Sequence, residues 1–183
     1  PAQRRAMRLP LLAACAVLFA VPFVRAQGDT AYRTPSAALA AIVDAPLTPL
    51  VSVSPDRRNL LLLERPSLPP VAELAEPELR LAGLRINPAT NGPSRETYYT
   101  GLIVKPLAGG TERRVTGFPT EARITSLAWS RDSRHLAVTV TLPQRLELWL
   151  IEIAAARARR LTDRALNGVV DNPTWVDDTT LVV

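Results

Sequence analysis

Reactive chemistry needs partners, and the reactive residues of this 183-residue chain stand almost alone. His135 is the single histidine and Cys15 the single cysteine, so a zinc site of ordinary composition cannot be assembled. A serine nucleophile of the elbow type needs GxSxG at a strand-to-helix turn; the nearest stretch, GPSRE from Gly92, lacks the second glycine. Gly109 and Gly110 are followed by no Lys-Ser or Lys-Thr pair, which makes them a hairpin turn rather than a phosphate loop. Asp56, Asp132 and Asp178 recur in similar surroundings, as expected of aspartates that bond neighbouring backbone in turns rather than move protons. His135 falls between such a turn and the following strand, a structural or surface position. Arg80, Arg85 and Arg95 could attract acidic peptides as a gate, but Glu73, Glu76 and Glu78 lie among them and balance their charge. No catalytic, metal-binding or cofactor-binding residue is therefore assigned, no cofactor is expected, and the chain alone is expected to be non-catalytic.

The elements that carry these residues are set by a repeat. Sliding the sequence by 46 places Leu102, Ala108, Arg113, Arg114, Thr116, Trp129 and Asp132 on Leu148, Ala154, Arg159, Arg160, Thr162, Trp175 and Asp178. LIVKPLAGGTERRVT and LWLIEIAAARARRLT are thus two versions of one segment, and a fixed period is a mark of repeat architecture. Within one period, Leu136, Val138, Val140 and Leu142 alternate with Ala137, Thr139 and Thr141, the two-residue period of a strand. Leu146 to Ile153 is a second strand, apolar on both faces apart from its glutamates, and AAARARRLT turns into a short edge strand. Adding the apolar approach to the next Trp gives four strands per period, the pattern of a propeller blade. The pairs Arg113/Arg114 and Arg159/Arg160 are expected to be solvated edge-strand residues.

An earlier copy, VSVSPDRRNLLLLERP, lies 76 rather than 46 residues before the corresponding Asp. The surplus is assigned to a Pro-rich insertion, residues 66–95, that breaks the strand pattern. The expected fold is all-β: a partial β-propeller of four-stranded antiparallel blades over 48–183, with blades at about 48–117 and 118–163 and an unfinished one at 164–183. Ahead of it, residues 27–47 form an extension with a short helix, in which Thr34 caps, Pro35 takes the first helical position and Asp44-Ala45-Pro46 ends the run.

Residues 1–26 differ in kind. Arg4, Arg5 and Arg8 precede an apolar run from Leu9 to Val24, with small residues before Gln27, which is the layout of a secretory signal peptide. A retained membrane anchor is the rival, but the run is broken by Pro10 and Pro22 and is shorter than the roughly 20 residues a span needs. Met7 is the expected initiator, and LAAC around Cys15 resembles a lipoprotein box. Four of the 22 basic residues and none of the 17 acidic ones lie in this leader, leaving 18 basic against 17 acidic, a net charge near +1. No basic face for nucleic acid is expected. If the cut falls after Ala26 the mature chain has no cysteine, and an exported, cysteine-free chain points to the bacterial envelope, periplasmic or extracellular, with stability from stacked sheets instead of disulfides. Because a propeller needs four or more blades to close, the chain is expected to be the front part of a longer protein.

DAPLTPLVSVSPDRRNLLLLERPSLPPVAELAEPELRLAGLRINP, then YYTGLIV and ITSLAWSRDSRHLAV, resemble the N-terminal region of the glutamyl endopeptidase branch of the prolyl oligopeptidase family of serine peptidases. SLPPVAELAEPELRLAGLRI is the most specific part, since no generic blade requires it. The resemblance implies a seven- or eight-bladed propeller followed by an α/β-hydrolase domain with a Ser, Asp, His triad. It implies that the propeller screens the active site, admitting peptides that are cut after Glu or other acidic residues. It gives this chain no triad member. The competing expectation is a non-enzymatic periplasmic propeller of the TolB-like kind that binds partner proteins.

Overall fold

A computed structural model describes residues 34–169 and 172–183. The leader reading for 1–26, with Met7 and Cys15, lies outside the described residues. The chain divides into two compact units, Pro1–Ala40 and Ala41–Val183. The helix α1, Ala37–Val43, begins two residues later than expected. Ser36, not Thr34, sits at its N-terminus: the Ser36 hydroxyl accepts the Leu39 N–H at 3.5 Å and its carbonyl accepts the Ala40 N–H at 2.9 Å. Serine caps at least as well as threonine, so the nearer hydroxyl takes the position.

The strands of the second unit are β1 (Leu50–Val53), β2 (Asn59–Glu64), β3 (Leu79–Leu81), β4 (Leu84–Asn87), β5 (Gly92–Pro93), β6 (Gly101–Pro106) and β7 (Arg113–Arg114). They continue with β8 (Arg123–Trp129), β9 (His135–Leu142), β10 (Arg145–Glu152), β11 (Arg157–Arg160), β12 (Thr174–Trp175) and β13 (Leu181–Val182). One antiparallel sheet has the order β1-β2-β6-β7 and a second β8-β9-β10-β11, while β12 and β13 pair as a hairpin.

The repeat is carried in the pairing register itself. Ile103 faces Arg114 and Val104 faces Arg113 in the first sheet; Trp149 faces Arg160 and Leu150 faces Arg159 in the second, each 46 residues on. Val51–Leu62 and Val53–Leu60 correspond to Leu127–Val138 and Trp129–Leu136, each 76 on. The difference between the offsets is the insertion, which leaves after β2 and returns at β6. In the second sheet the same connection is the short hairpin between Leu142 and Arg145. The insertion is not irregular: it holds a one-turn helix α2 (Val71–Leu74) and the three-stranded sheet β3-β4-β5.

β9 and β10 are covered on both faces, with Leu136, Ala137, Val138 and Val140 each 0% exposed. Leu61, Leu63, Leu102 and Val104 from the first sheet share one apolar cluster with Ile124, Leu136, Val138, Val140, Trp149 and Ile151 from the second. Phe118, in the link between the sheets, lies 5.5 Å from the Trp149 ring. Glu147 breaks the apolar run of β10 yet is buried. It accepts the Trp149 indole N–H at 2.9 Å and pairs with Arg145 at 2.6 Å and Arg160 at 3.3 Å, so its charge is met where it stands.

Candidate functional site

The turn between β1 and β2 and the turn between β8 and β9 are wired identically. Ser54 Oγ donates to Asp56 Oδ1 at 2.6 Å and accepts the Asn59 N–H at 3.0 Å; Ser130 Oγ donates to Asp132 Oδ1 at 2.7 Å and accepts the His135 N–H at 3.0 Å. Asp56 and Asp132 also accept the N–H groups of Arg58 and Arg134 at 3.0 Å. These bonds, led by the serine hydroxyl, hold both carboxyls below the ordinary aspartate pKa. The two aspartates are turn residues, as their spacing implies.

Asp178 is not the third of the set. The turn after Trp175 is one residue shorter, and Asp177 takes the wiring role, its Oδ1 accepting the N–H groups of Thr179 at 2.7 Å and Thr180 at 2.6 Å. Those bonds hold its pKa down at about 2. Asp178 instead reaches the preceding turn and accepts the Asp132 N–H at 2.8 Å. Ser133 does the same one turn earlier, accepting the Asp56 N–H at 3.0 Å. A tryptophan secures the same seams: Trp129 Nε1 donates to Ser52 Oγ at 2.9 Å and Trp175 Nε1 to the Ala128 carbonyl at 2.8 Å, and Ser52 and Ala128 are themselves 76 positions apart. His135 starts β9 with its ring 6.5 Å from that of Trp175, in a structural setting.

The arginine pairs are more than solvated edge residues. Arg114 pairs with Glu64 at 2.7 Å and Arg160 with Asp163 at 2.6 Å. Arg113 crosses to the next sheet and donates to the carbonyls of Ile153 and Ala154. A guanidinium's several donors reach farther than edge solvation requires.

The insertion carries a charge cluster of its own. Arg80 at 3.0 Å, Arg85 at 2.7 Å and Arg95 at 3.7 Å all converge on Glu78, whose side chain is 8% exposed. Hydrogen bonding from Arg85 is the largest cause that brings the Glu78 carboxyl from 4.5 to about 2. The three arginines are thus organised by an internal carboxylate, as charge balance implies. Glu73, buried on α2, accepts the Tyr98 hydroxyl at 3.0 Å. Burial and this bond raise the Tyr98 pKa. Arg123, the first residue of β8, stacks 5.3 Å from the Tyr98 ring centre and donates to Glu76 at 3.2 Å. This network fastens the insertion to the second sheet. It walls a cleft of about 590 Å³ whose lining includes Glu76, Asn87, Tyr98, Arg123 and Pro143. A smaller cavity of about 240 Å³ is also lined by Tyr98, with Leu47, Arg65, Glu73, Arg95 and Glu96 among its other walls.

Tyr98 and Arg123 were not marked by the sequence. Their roles come from contacts across 25 or more positions, which no local pattern encodes. Among the described residues, no three His, Cys, Asp or Glu side chains are grouped to hold a metal ion. No helix among them is long and apolar enough to cross a membrane.

No protein-family model matches the sequence. The chain is 38% identical over 165 residues to a probable glutamyl endopeptidase, chloroplastic, of Oryza sativa subsp. japonica, covering 83% of this chain and 18% of that protein. It is 39% identical over 166 residues to a probable glutamyl endopeptidase, chloroplastic, of Arabidopsis thaliana, covering 84% and 17%. The chain thus spans less than a fifth of the curated relatives it matches. Among solved structures, the AtxE2 isopeptidase in its apo form matches with a TM-score of 0.42 and 20% identity over 74% of this chain and 20% of that one.

Proposed function

Because this chain belongs to the glutamyl endopeptidase family, we propose that it is part of a β-propeller through which an exported serine peptidase admits its peptide substrates. The observation that carries the reading is the identity of 38–39% over more than four-fifths of the chain, an alignment long enough to take in most of both sheets and the insertion. The register repeat supports a propeller: successive four-stranded sheets bonded through equivalent positions are how blades stack. Residues 48–117, 118–163 and 164–183 are then successive blades, the last contributing β12 and β13. β1 forms the free edge of the first sheet, with Leu50 40%, Val51 55% and Val53 49% exposed, in keeping with an inner strand that faces a central passage. Hydrolysis, acyl transfer to a serine hydroxyl with preference for bonds after Glu, belongs to the whole protein. This chain's part is to admit extended peptides and hold back folded proteins. Export through cleavage after Ala26, to the periplasm or beyond, completes the reading.

The test uses the complete gene product. It is expected to be labelled by a fluorophosphonate probe and to cleave a quenched peptide after Glu at least about tenfold faster than its Gln counterpart, a difference of roughly 1.4 kcal/mol in barrier. A protein that takes no label and cleaves neither peptide removes the peptidase reading and leaves a TolB-like binding propeller. A mature N-terminus at Gln27 in mass spectrometry checks export.

A further inference from the structure

Arg113 clasps one sheet to the next. Its guanidinium leaves β7 and donates to the carbonyls of Ile153 and Ala154 in the turn that follows β10. Main chain completes the join: the Thr116 N–H donates to the Ala156 carbonyl at 3.0 Å, and the Ala158 N–H donates to the Thr116 carbonyl at 2.7 Å. Val104, opposite Arg113, is buried in the apolar cluster the two sheets share.

The second sheet carries the same parts 46 positions on. Arg159 stands opposite Leu150 as Arg113 stands opposite Val104. The Leu161 N–H donates to the Leu148 carbonyl at 2.8 Å, as the Val115 N–H does to the Leu102 carbonyl at 2.8 Å. The equivalence therefore runs past the end of β11 and brings Thr162 to the place of Thr116. Trp149 and Ile151 belong to the cluster shared with the first sheet, so Leu150, between them, points to the opposite face. There a cavity of about 300 Å³ is lined by His135, Leu150, Glu152, Arg157 and Arg159. Arg160 is paired with Glu147 and Asp163, but among the described residues Arg159 donates to no carboxylate or carbonyl, and Thr162 makes neither of the main-chain bonds that Thr116 makes.

We propose that Arg159 and Thr162 form a docking surface for a further stretch of the same polypeptide, the one lying 46 positions after Ile153 to Ala158. Two successive carbonyls of that stretch accept from the Arg159 guanidinium, and a carbonyl and an N–H two residues apart meet the Thr162 N–H and carbonyl. A forked guanidinium suits paired main-chain acceptors, so the surface reads the path of the chain and not its side chains. The occupant is this polypeptide and not a second copy, because the β12-β13 hairpin is already seated on this face through Trp175 and Asp178 and the sheet it begins extends toward the cavity. The inference rests on the propeller reading, which supplies that sheet.

The experiment is cysteine cross-linking in the complete gene product with Cys15→Ser. Arg159→Cys is combined with a cysteine 46 positions after Ala154, and Arg113→Cys with Ala154→Cys is the control; a short bis-maleimide is added and the linked peptides are identified by mass spectrometry. Both pairs are expected to link within one chain. Arg159→Met is expected to lower the melting temperature by about 2–4 °C, as Arg113→Met does, and Arg159→Lys to recover part of the loss. A gene product that takes the fluorophosphonate label and forms the control link but not the Arg159 link overturns the proposal and leaves the peptidase reading standing. One that forms both links without the label upholds the proposal and removes the peptidase reading. An Arg159 link that joins two chains overturns it in favour of a second copy, and an unchanged melting temperature in Arg159→Met beside a lowered one in Arg113→Met overturns it as well.

Discussion

At the scale of single residues, the turns set the stability of the sheets. Ser130 is fully buried, and its hydroxyl donates to Asp132 while accepting the His135 N–H. Ser130→Ala leaves that N–H and the carboxylate short of a partner and is expected to cost about 1–3 kcal/mol in urea denaturation. Acid reads the same turns. Asp56, Asp132, Asp177 and Glu78 all have folded-state pKa values below their ordinary ones, Asp177 and Glu78 at about 2. A depressed carboxyl contributes stability that is present above its unfolded pKa and lost as pH falls through the folded value. Thermal stability is therefore expected to drop between about pH 4.5 and 2, and Asp177→Asn is expected to flatten part of that slope. The period made the turn role of Asp56 and Asp132 legible, because a serine and an aspartate two apart act on their own backbone. The same period misplaced the role at Asp178, since WVDD offers two aspartates and no serine and the turn loses one residue. Tyr98 and Arg123 were not legible at all, because their partners lie 25 or more positions away.

At the scale of elements, strand patterning located β9 and β10 with ends shifted by a residue, because covered strands are apolar along their length and their turns are polar. The 30-residue surplus was equally plain in the spacing. Its interior was not, since α2 and β3 to β5 are two to four residues long, too short for any period to show. Gly117 tests the link between sheets. Its φ is +102°, and a Cβ there would lie 2.3 Å from the Ala158 carbonyl oxygen. The adjoining Thr116 carbonyl accepts the Ala158 N–H at 2.7 Å. Gly117→Ala combines backbone strain with a clash against main chain, and is expected to cost at least about 2–3 kcal/mol. Hydrogen exchange should speed up first at Ala158, while an unchanged unfolding curve would show that the outer strands part freely.

At the scale of the whole second unit, the sheets are joined by a shared apolar cluster and a polar seam. The seam can be measured. Trp129→Phe keeps most of the packing and loses the bond to Ser52, and Ser52→Ala loses the same bond from the other side. Each is expected to cost about 0.5–1.5 kcal/mol, with the double variant costing clearly less than the sum. Simple additivity would mean that the tryptophan acts by bulk alone.

That seam has a bearing on ancestry. The indole bond from Trp129 to Ser52 and the one from Trp175 to Ala128 use matching positions, so each join is addressed only to its immediate neighbour. Copying or excising one whole module would leave each surviving indole facing the matching strand position of its new neighbour, so a gene could change the number of sheets in such a row in a single recombination.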